Sequence, residues 1–137
     1  MIGRTSTTVC AVVAATTLLG ACTPERGHDR GREYFVTYCA DCHGATGKGD
    51  GPAAPSLTPA PTDLTMIARR NGQIFPKLQV MGKINGHTMG SSDRDMPQFA
   101  DVLNGPPMMY DAGDGRKVET SMKLVELVEY LETLQVE

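Results

Sequence analysis

The feature that most constrains this 137-residue chain is the pentapeptide Cys39-Ala40-Asp41-Cys42-His43. On a helix the two thiols lie about one turn apart. This spacing suits the two vinyl groups of a protoporphyrin, and the histidine that follows directly can lie under the iron. The pattern C-x-x-C-H is typical of covalent haem attachment. We therefore predict one haem c, bound through Cys39 and Cys42, with His43 as the proximal iron ligand.

Two other kinds of site use a cysteine pair at this spacing, and the sequence fits neither. A thioredoxin-like redox pair follows a strand in a βαβ context, and no such pattern precedes Cys39. A zinc site needs a second pair of ligands at matching spacing. The remaining cysteines, Cys10 and Cys22, both lie near the N-terminus and do not form such a pair.

Residues 1–21 have the pattern of a secretory signal peptide. Arg4 precedes an apolar stretch from Val9 to Leu19, which is too short to span a bilayer. The stretch ends in Leu19-Gly20-Ala21-Cys22, which resembles a bacterial lipobox, whose cysteine is acylated and becomes the new N-terminus. Cleavage at a nearby ordinary signal-peptidase site is the alternative. Since Cys22 would otherwise be an unpaired thiol in an oxidising compartment, we predict lipidation at Cys22.

The rest of the chain is divided into a lipidated tether, residues 22–28, and one folded domain, residues 29–137. The tether is short, polar and interrupted by Pro24 and Gly27. We expect the protein on the periplasmic side of a bacterial envelope, held to the membrane by its lipid anchor. Loss of Arg4 with the signal peptide changes the formal net charge from −3 to −4. This acidic balance, without a stripe of Lys and Arg, argues against nucleic acid as a partner.

Apolar spacing and capping residues predict an all-α domain whose longest helices are the first and the last. The first begins with Asp29 as its cap and runs to about Cys42. The last begins at Thr120 or Ser121 and continues through Leu134. Its apolar residues follow the spacing of one buried face, and three glutamates are assigned to its solvent face: Glu126, Glu129 and Glu132.

Shorter helices are predicted between these two, for a total of four to five. One is capped by Thr62 or Asp63 and closed by Asn71-Gly72, and one runs from Phe75 to Met81 with Gly82 as its end. A further turn or two is expected over residues 98–103. The segments 44–61 and 105–115 are rich in Gly and Pro and are predicted to be loops. No strand is expected.

Several motifs together resemble class I c-type cytochromes over residues 29–136. They are Gly31-x-x-x-Phe35-x-x-x-Cys39-x-x-Cys42-His43-Gly44, Met96-Pro97 and Leu127-Val128-Glu129-Tyr130-Leu131. The resemblance implies the cytochrome c fold, in which the first and last helices cross at the glycine and the aromatic packs on the last helix. Asp50-Gly51-Pro52 and Pro61-x-Asp63-Leu64-Thr65 also resemble a bacterial subgroup of small soluble and tethered members. The chain departs from the family in having no tryptophan and a long 105–117 segment.

The resemblance also bears on the second axial ligand. Three candidates lie in one predicted loop: Met96, Met89 and His87. Pro97 would fix the backbone after Met96, whereas glycine and serines follow Met89. A thioether raises the reduction potential relative to a second imidazole, which suits an electron carrier. We therefore assign Met96 as the distal ligand and keep Met89 and His87 as alternatives.

Two further expectations concern the haem surroundings. A metal-bound imidazole usually donates its other N–H to a carbonyl or carboxylate, and in the resembled family a proline carbonyl after the motif accepts it. Four prolines are candidates: Pro52, Pro55, Pro59 and Pro61. Leu57 and Leu64 are expected to pack on the haem face.

The predicted function follows from the coordination. With His43 and Met96 both bound, the iron has no open position, so the chain is expected to carry single electrons between redox-partner proteins in a respiratory or photosynthetic chain. No small-molecule substrate and no enzymatic activity are expected. One alternative is a haem-based sensor or enzyme in which the Met96 bond opens. Another is a fixed cytochrome subunit of an oxidase or dehydrogenase complex.

Overall fold

The chain is mainly helical. The computed structural model describes residues 25–86, 96–113 and 115–136. Within these ranges the elements are α1 Glu25–Tyr38, α2 Ala40–His43, the 3₁₀ turns Ala54–Ser56 and Leu64–Met66, α3 Ile67–Arg70, α4 Lys77–Asn85, β1 Pro107–Asp111, β2 Lys117–Ser121 and α5 Met122–Thr133. The predicted all-α fold with four to five helices is confirmed, with one hairpin added. Among these described helices none is long and apolar enough to cross a membrane.

Helices α1 and α5 cross at Gly31, as the resemblance to class I cytochromes implies. A Cβ on residue 31 would overlap the carbonyl oxygen of Glu126, so a glycine is needed for the two backbones to approach this closely. Phe35 is fully buried, and its ring centroid lies 5.5 Å from that of Tyr130. Leu127 is also fully buried. This crossing is the centre of the hydrophobic core.

The prediction that Glu126 lies in solvent is wrong. Its residue exposure is 7%, because the close approach at Gly31 places this turn of α5 directly against α1. Arg30 covers it: both Nε and a terminal guanidinium nitrogen of Arg30 donate to the Glu126 carboxylate, the former at 2.9 Å. A buried carboxylate is thus paired with a cation from the facing helix.

The first helix differs from its predicted bounds at both ends. It begins at Glu25 rather than at Asp29. The added turn packs on α5, where the His28 ring lies edge-on to Tyr130 at 5.4 Å and its Nε2 is 3.2 Å from the Thr133 hydroxyl. At the other end the helix stops at Tyr38, and Cys39, with φ −119°, separates it from the short helix α2.

Helix α4 continues through Gly82, where the sequence predicts an end. It runs from Lys77 to Asn85, and Gly86, with φ 79°, caps it in the left-handed conformation. Glycine inside a helix costs about 1 kcal/mol relative to alanine. Burial of Met81 and Ile84, which flank this glycine, offsets that cost.

The segment 105–115 is not only a loop, because it contains strand β1, which pairs with strand β2 just after the segment. They run antiparallel with Tyr110 opposite Val118. The side chains of one face, including the buried Tyr110, turn toward the core. The carboxylate of Asp111 accepts hydrogen bonds from the main-chain N–H groups of Gly113 and Gly115 at 2.9 and 3.3 Å and shapes the turn. Pro106 before β1, Pro107 at its first position and the glycines after it concealed this hairpin in the sequence.

The C-terminal segment after α5 fastens the helix to the region around α3. The Gln135 amide donates to the carbonyl oxygen of Leu64 at 2.9 Å, and its oxygen accepts from the main-chain N–H of Ala68 at 2.9 Å. The N–H of Val136 donates to the Thr65 carbonyl at 3.0 Å. The core helix therefore holds the segment 64–68, which lines the cavity described next.

Candidate functional site

A cavity of about 350 Å³ lies between α2, the segment 57–67, α4 and the segment that begins at Met96. This size is within the range of small-molecule and cofactor sites. Most of its described lining is apolar. The lining residues are Tyr38, Cys39, Cys42, His43, Leu57, Pro59, Ala60, Pro61, Thr62, Leu64, Ile67, Lys83, Met96, Pro97 and Phe99.

The structure brings Cys39, Cys42 and His43 to this cavity from one helical turn. The N–H groups of Cys42 and His43 both donate to the carbonyl of Cys39, at 3.2 and 2.8 Å. Both thiols are free and half-buried. Two sulfur atoms and an imidazole therefore face the same apolar space from a short, internally hydrogen-bonded segment.

The environment of Cys39 does not suit a reactive redox thiol. Burial, with the neighbouring Cys42 as a smaller cause, raises the pKa of Cys39 to about 12. Reactive cysteines instead have lowered pKa values and electropositive surroundings. The pair also follows helix α1 rather than a strand. Across the described residues no three His, Cys, Asp or Glu side chains come together as a metal site, so the zinc interpretation gains no support.

The ring of His43 is held by a hydrogen bond that fixes its tautomer. Nδ1 lies 2.9 Å from the carbonyl oxygen of Thr62. A carbonyl can only accept, so Nδ1 carries the proton and the lone pair of the neutral ring is on Nε2. His43 is nearly buried, with 9% exposure. The ring thus offers one nitrogen to a ligand and holds its orientation with the other.

The expectation that a proline carbonyl accepts this proton is wrong. The carbonyl of Thr62, directly after Pro61, accepts the proton instead. Gly49 packs so closely on the Pro61 carbonyl that a Cβ there would overlap its oxygen. The Pro61 carbonyl is thus turned to the loop after the motif, and the next carbonyl along the chain reaches the imidazole.

Met96 reaches the same cavity from a later segment and is half-buried. Two contacts hold that segment: the N–H of Phe99 donates to the carbonyl of Ile84 in α4 at 3.0 Å, and the Phe99 ring lies 6.4 Å from that of Tyr38. The alternatives Met89 and His87 lie outside the described residues, as does Cys22.

Some lining residues were predicted and others were not. Leu57 and Leu64 line the cavity. Tyr38, Ile67 and Phe99 also line it, and no sequence pattern predicted them there. Two signals were available: Tyr38 is an aromatic residue next to the first cysteine, and Phe99 is an aromatic residue at the third position after Met96. Neither spacing distinguishes a cavity-lining residue from an ordinary core residue.

The residues present fit a covalently bound haem. Two unpaired thiols, an imidazole with its lone pair on Nε2 and a thioether line a single apolar cavity. Imidazole and thioether are known axial ligands of haem iron. An apolar lining suits the faces of a porphyrin.

Comparison with known proteins agrees with this chemistry. No curated protein matches the sequence. The family model described as cytochrome c matches residues 28–135, which is most of the chain and includes every described lining residue. Members of that family bind haem covalently and generally carry electrons between redox partners. The chain therefore belongs to the cytochrome c family.

Proposed function

We propose that the protein is a one-electron carrier with a single haem c, attached to Cys39 and Cys42 and ligated by His43 and Met96. The observation that carries this proposal is that all four side chains line one mainly apolar cavity. Three of them come from one helical turn and the fourth from a separate segment. Membership of the cytochrome c family supports the same conclusion.

Each of the four residues has its own task. The sulfur atoms of Cys39 and Cys42 would hold the porphyrin as thioethers formed with its vinyl groups. Nε2 of His43 is available to the iron because Nδ1–H is donated to Thr62. Met96 would supply a sulfur ligand, which raises the reduction potential relative to a second imidazole. The bound haem supplies an iron that exchanges one electron.

A carrier role is favoured over catalysis because both axial positions are assigned to side chains. A substrate then has no place to bind at the iron. Within the described lining, Leu57, Leu64 and Ile67 give the cavity an apolar wall, which excludes water and lowers the reorganisation that accompanies a change of charge. Exposed residues, among them Pro59 and Ala60, lie at its margin, where a redox-partner protein would dock.

We further propose that the chain is a bacterial class I cytochrome, as its motifs at residues 31–44, 96–97 and 127–131 imply. We also propose that it is a lipoprotein whose mature form begins at an acylated Cys22 on the periplasmic side of the envelope. The lipoprotein proposal rests on the sequence of residues 1–22 alone. Acyl chains contribute about 0.8 kcal/mol per buried methylene, and two or more hold a protein firmly. Cys22→Ser should therefore move the protein from the membrane fraction to the soluble fraction, and a wild-type protein that is wholly soluble would contradict the anchor.

The ligand assignment is tested by absorbance spectra of the ferric and ferrous holoprotein with and without CO. The wild type should show the weak charge-transfer band at the red end of the spectrum that His/Met cytochromes have, and should not bind CO. Met96→Ala should remove the band, open the iron to CO and lower the potential.

Met89→Ala and His87→Ala are the controls, and both should keep the band. Loss of the band in Met89→Ala but not in Met96→Ala would show that the distal ligand is misassigned, with electron transfer still possible. A wild type that lacks the band and binds CO at once would contradict the carrier proposal and favour a sensor or enzyme.

A further inference from the structure

The hydrogen bond that orients His43 depends on the peptide unit between Thr62 and Asp63. The Thr62 carbonyl, 2.9 Å from Nδ1, belongs to that unit. Its direction relative to the following turn is therefore determined by the φ of Asp63, which is −65°. Whatever holds the backbone of Asp63 also holds the acceptor of the His43 proton.

The side chain of Asp63 closes a tight turn over the next two residues. Its Oδ1 accepts from the main-chain N–H of Thr65 at 2.9 Å and from the Thr65 hydroxyl at 2.7 Å. Thr65 is buried, with 6% exposure, so this anchor point does not move freely. The same hydrogen bonds lower the pKa of the Asp63 carboxyl below its ordinary value, which keeps the acceptor ionised.

The main chain on both sides of this turn is also held. The Asp63 carbonyl accepts from the Arg70 guanidinium at 2.8 Å. The N–H of Leu64 donates to the carbonyl of Gly47 at 2.7 Å, and the N–H of Gly49 donates to the carbonyl of His43 at 2.8 Å. The segment that carries the acceptor is thus tied to the loop that leaves His43 itself.

We propose that Asp63 is a positioning residue for His43. The turn that Asp63 closes aims the Thr62 carbonyl at Nδ1 and sets the strength of that hydrogen bond. A stronger bond increases the basicity of the imidazole toward the iron and so favours Fe(III). This inference rests on the proposed role of His43 as the proximal ligand.

A purely local role for Asp63, as a cap that stabilises the turn, would use the same contacts. The two roles differ in what they change at His43. A cap affects the free energy of unfolding and, through the loss of its charge, the reduction potential. A positioning residue also affects the exchange of the His43 ring proton, and it affects the potential in Thr65→Val, which removes no charge.

The experiment measures, in the reduced holoprotein, the exchange of the His43 Nδ1 proton with solvent deuterium by NMR, together with the reduction potential. Asp63→Ala should accelerate exchange roughly tenfold, the order of one net hydrogen bond in an opening equilibrium, and raise the potential. Asp63→Asn keeps an acceptor oxygen while removing the charge, so its exchange should remain close to that of the wild type.

Asp111→Ala is the matched control. Its Oδ1 accepts main-chain hydrogen bonds from Gly113 and Gly115 in the same manner, in the hairpin, and its loss should leave both measurements unchanged. If Asp63→Ala fails to fold, Thr65→Val removes the hydroxyl bond and retains the N–H bond. Thr65→Val should accelerate exchange of the Nδ1 proton less than Asp63→Ala does. Thr65→Ser, which keeps a hydroxyl, should exchange at the wild-type rate.

The outcomes separate this inference from the proposed function. If Asp63→Ala or Thr65→Val has the same Nδ1 proton exchange rate and reduction potential as the wild type, the positioning role is overturned. His43 would still be the ligand. If instead the wild-type His43 ring protons lack the large upfield ring-current shifts of a haem-bound imidazole, the ligand assignment itself fails.

Discussion

The α1–α5 crossing and the wall segment, residues 44–66, whose later part lines the cavity, are held by different kinds of contact. At the crossing, large apolar side chains such as Phe35, Leu127 and Val128 are fully buried. In the wall, the buried residues are Gly44, Gly47, Gly51 and Thr65. Main-chain hydrogen bonds there replace side-chain packing. The crossing therefore supplies the hydrophobic stability of the domain, while the wall supplies the shape of the site.

This difference predicts that the free energy of unfolding and the surroundings of His43 respond to substitutions in different regions. Substitutions at the crossing should lower the free energy of unfolding and leave the iron spectrum intact. Substitutions in the wall should change the surroundings of His43 at a smaller cost in stability. Pairs of matched substitutions in the two regions test this prediction.

Phe35→Ala should have the largest effect, a loss of about 4 kcal/mol, because it empties a fully enclosed aromatic site. Guanidinium unfolding of the holoprotein measures it. Val36→Ala is the control: Val36 is 51% exposed on the same helix, and its loss should change stability by less than about 0.5 kcal/mol. Similar losses for the two variants would contradict the packing described for the crossing.

Gly31→Ala should destabilise the fold by about 2–3 kcal/mol, because its Cβ would overlap the Glu126 carbonyl and the two helices would have to separate. Gly27→Ala lies one turn earlier, and its Cβ would meet nothing within 4 Å. That variant should be neutral or more stable by up to about 1 kcal/mol. Chemical denaturation of both proteins gives the comparison, and equal stability would show that the helices do not touch at residue 31.

Gly49→Ala tests the wall. Gly49 has φ 82°, and a Cβ there would overlap the Pro61 carbonyl. Gly72→Ala shares the positive φ of 67° but has open space around it, so both variants should lose about 1 kcal/mol from backbone strain. Only Gly49→Ala should also accelerate exchange of the His43 Nδ1 proton, since it displaces the segment next to Thr62. Identical exchange in both variants would show that the wall does not position His43.

The smallest effect concerns the dependence of stability on pH. Hydrogen bonds from Thr65 lower the pKa of Asp63 from its ordinary value of 3.8. The stabilisation by this carboxylate is therefore fully present above that ordinary value and is lost as the pH falls through the folded-state pKa. The difference in unfolding free energy between the wild type and Asp63→Asn should be constant near neutral pH and should shrink in strong acid. A difference that stays constant down to strong acid would contradict the lowered pKa.

The same contrast explains which parts of the structure the sequence could predict. The buried face of α5 follows from helical spacing, which one short stretch of sequence displays. The crossing at Gly31 was implied by the resemblance to class I cytochromes, whose motifs are also short and local. Ser121 was likewise a predicted cap, and its hydroxyl accepts from the N–H of Lys123. Glu126 was misplaced because its burial depends on the close approach of α1 at Gly31, and a pattern within one helix does not show its neighbour.

The sequence allows a prediction about the site where residue identity determines the chemistry, but not where main-chain geometry does. Cys39, Cys42 and His43 are adjacent in the sequence, and the structure places them in one cavity with Met96. The carbonyl that accepts from His43 could not be chosen, because every residue has one and its direction depends on the turn at Asp63. The hairpin over 107–121 was missed for a related reason: its turn is shaped by Asp111 and glycines with positive φ.

If Cys39 and Cys42 hold one haem covalently, the haem must remain on the chain after denaturation. The mass of the denatured protein should therefore exceed that of the processed polypeptide, with any acyl groups included, by one haem. Proteolysis should locate the added mass in the peptide that contains Cys39 and Cys42, and the double substitution Cys39→Ala/Cys42→Ala should abolish it. A denatured wild-type chain without haem, or haem that remains after the double substitution, would contradict the account.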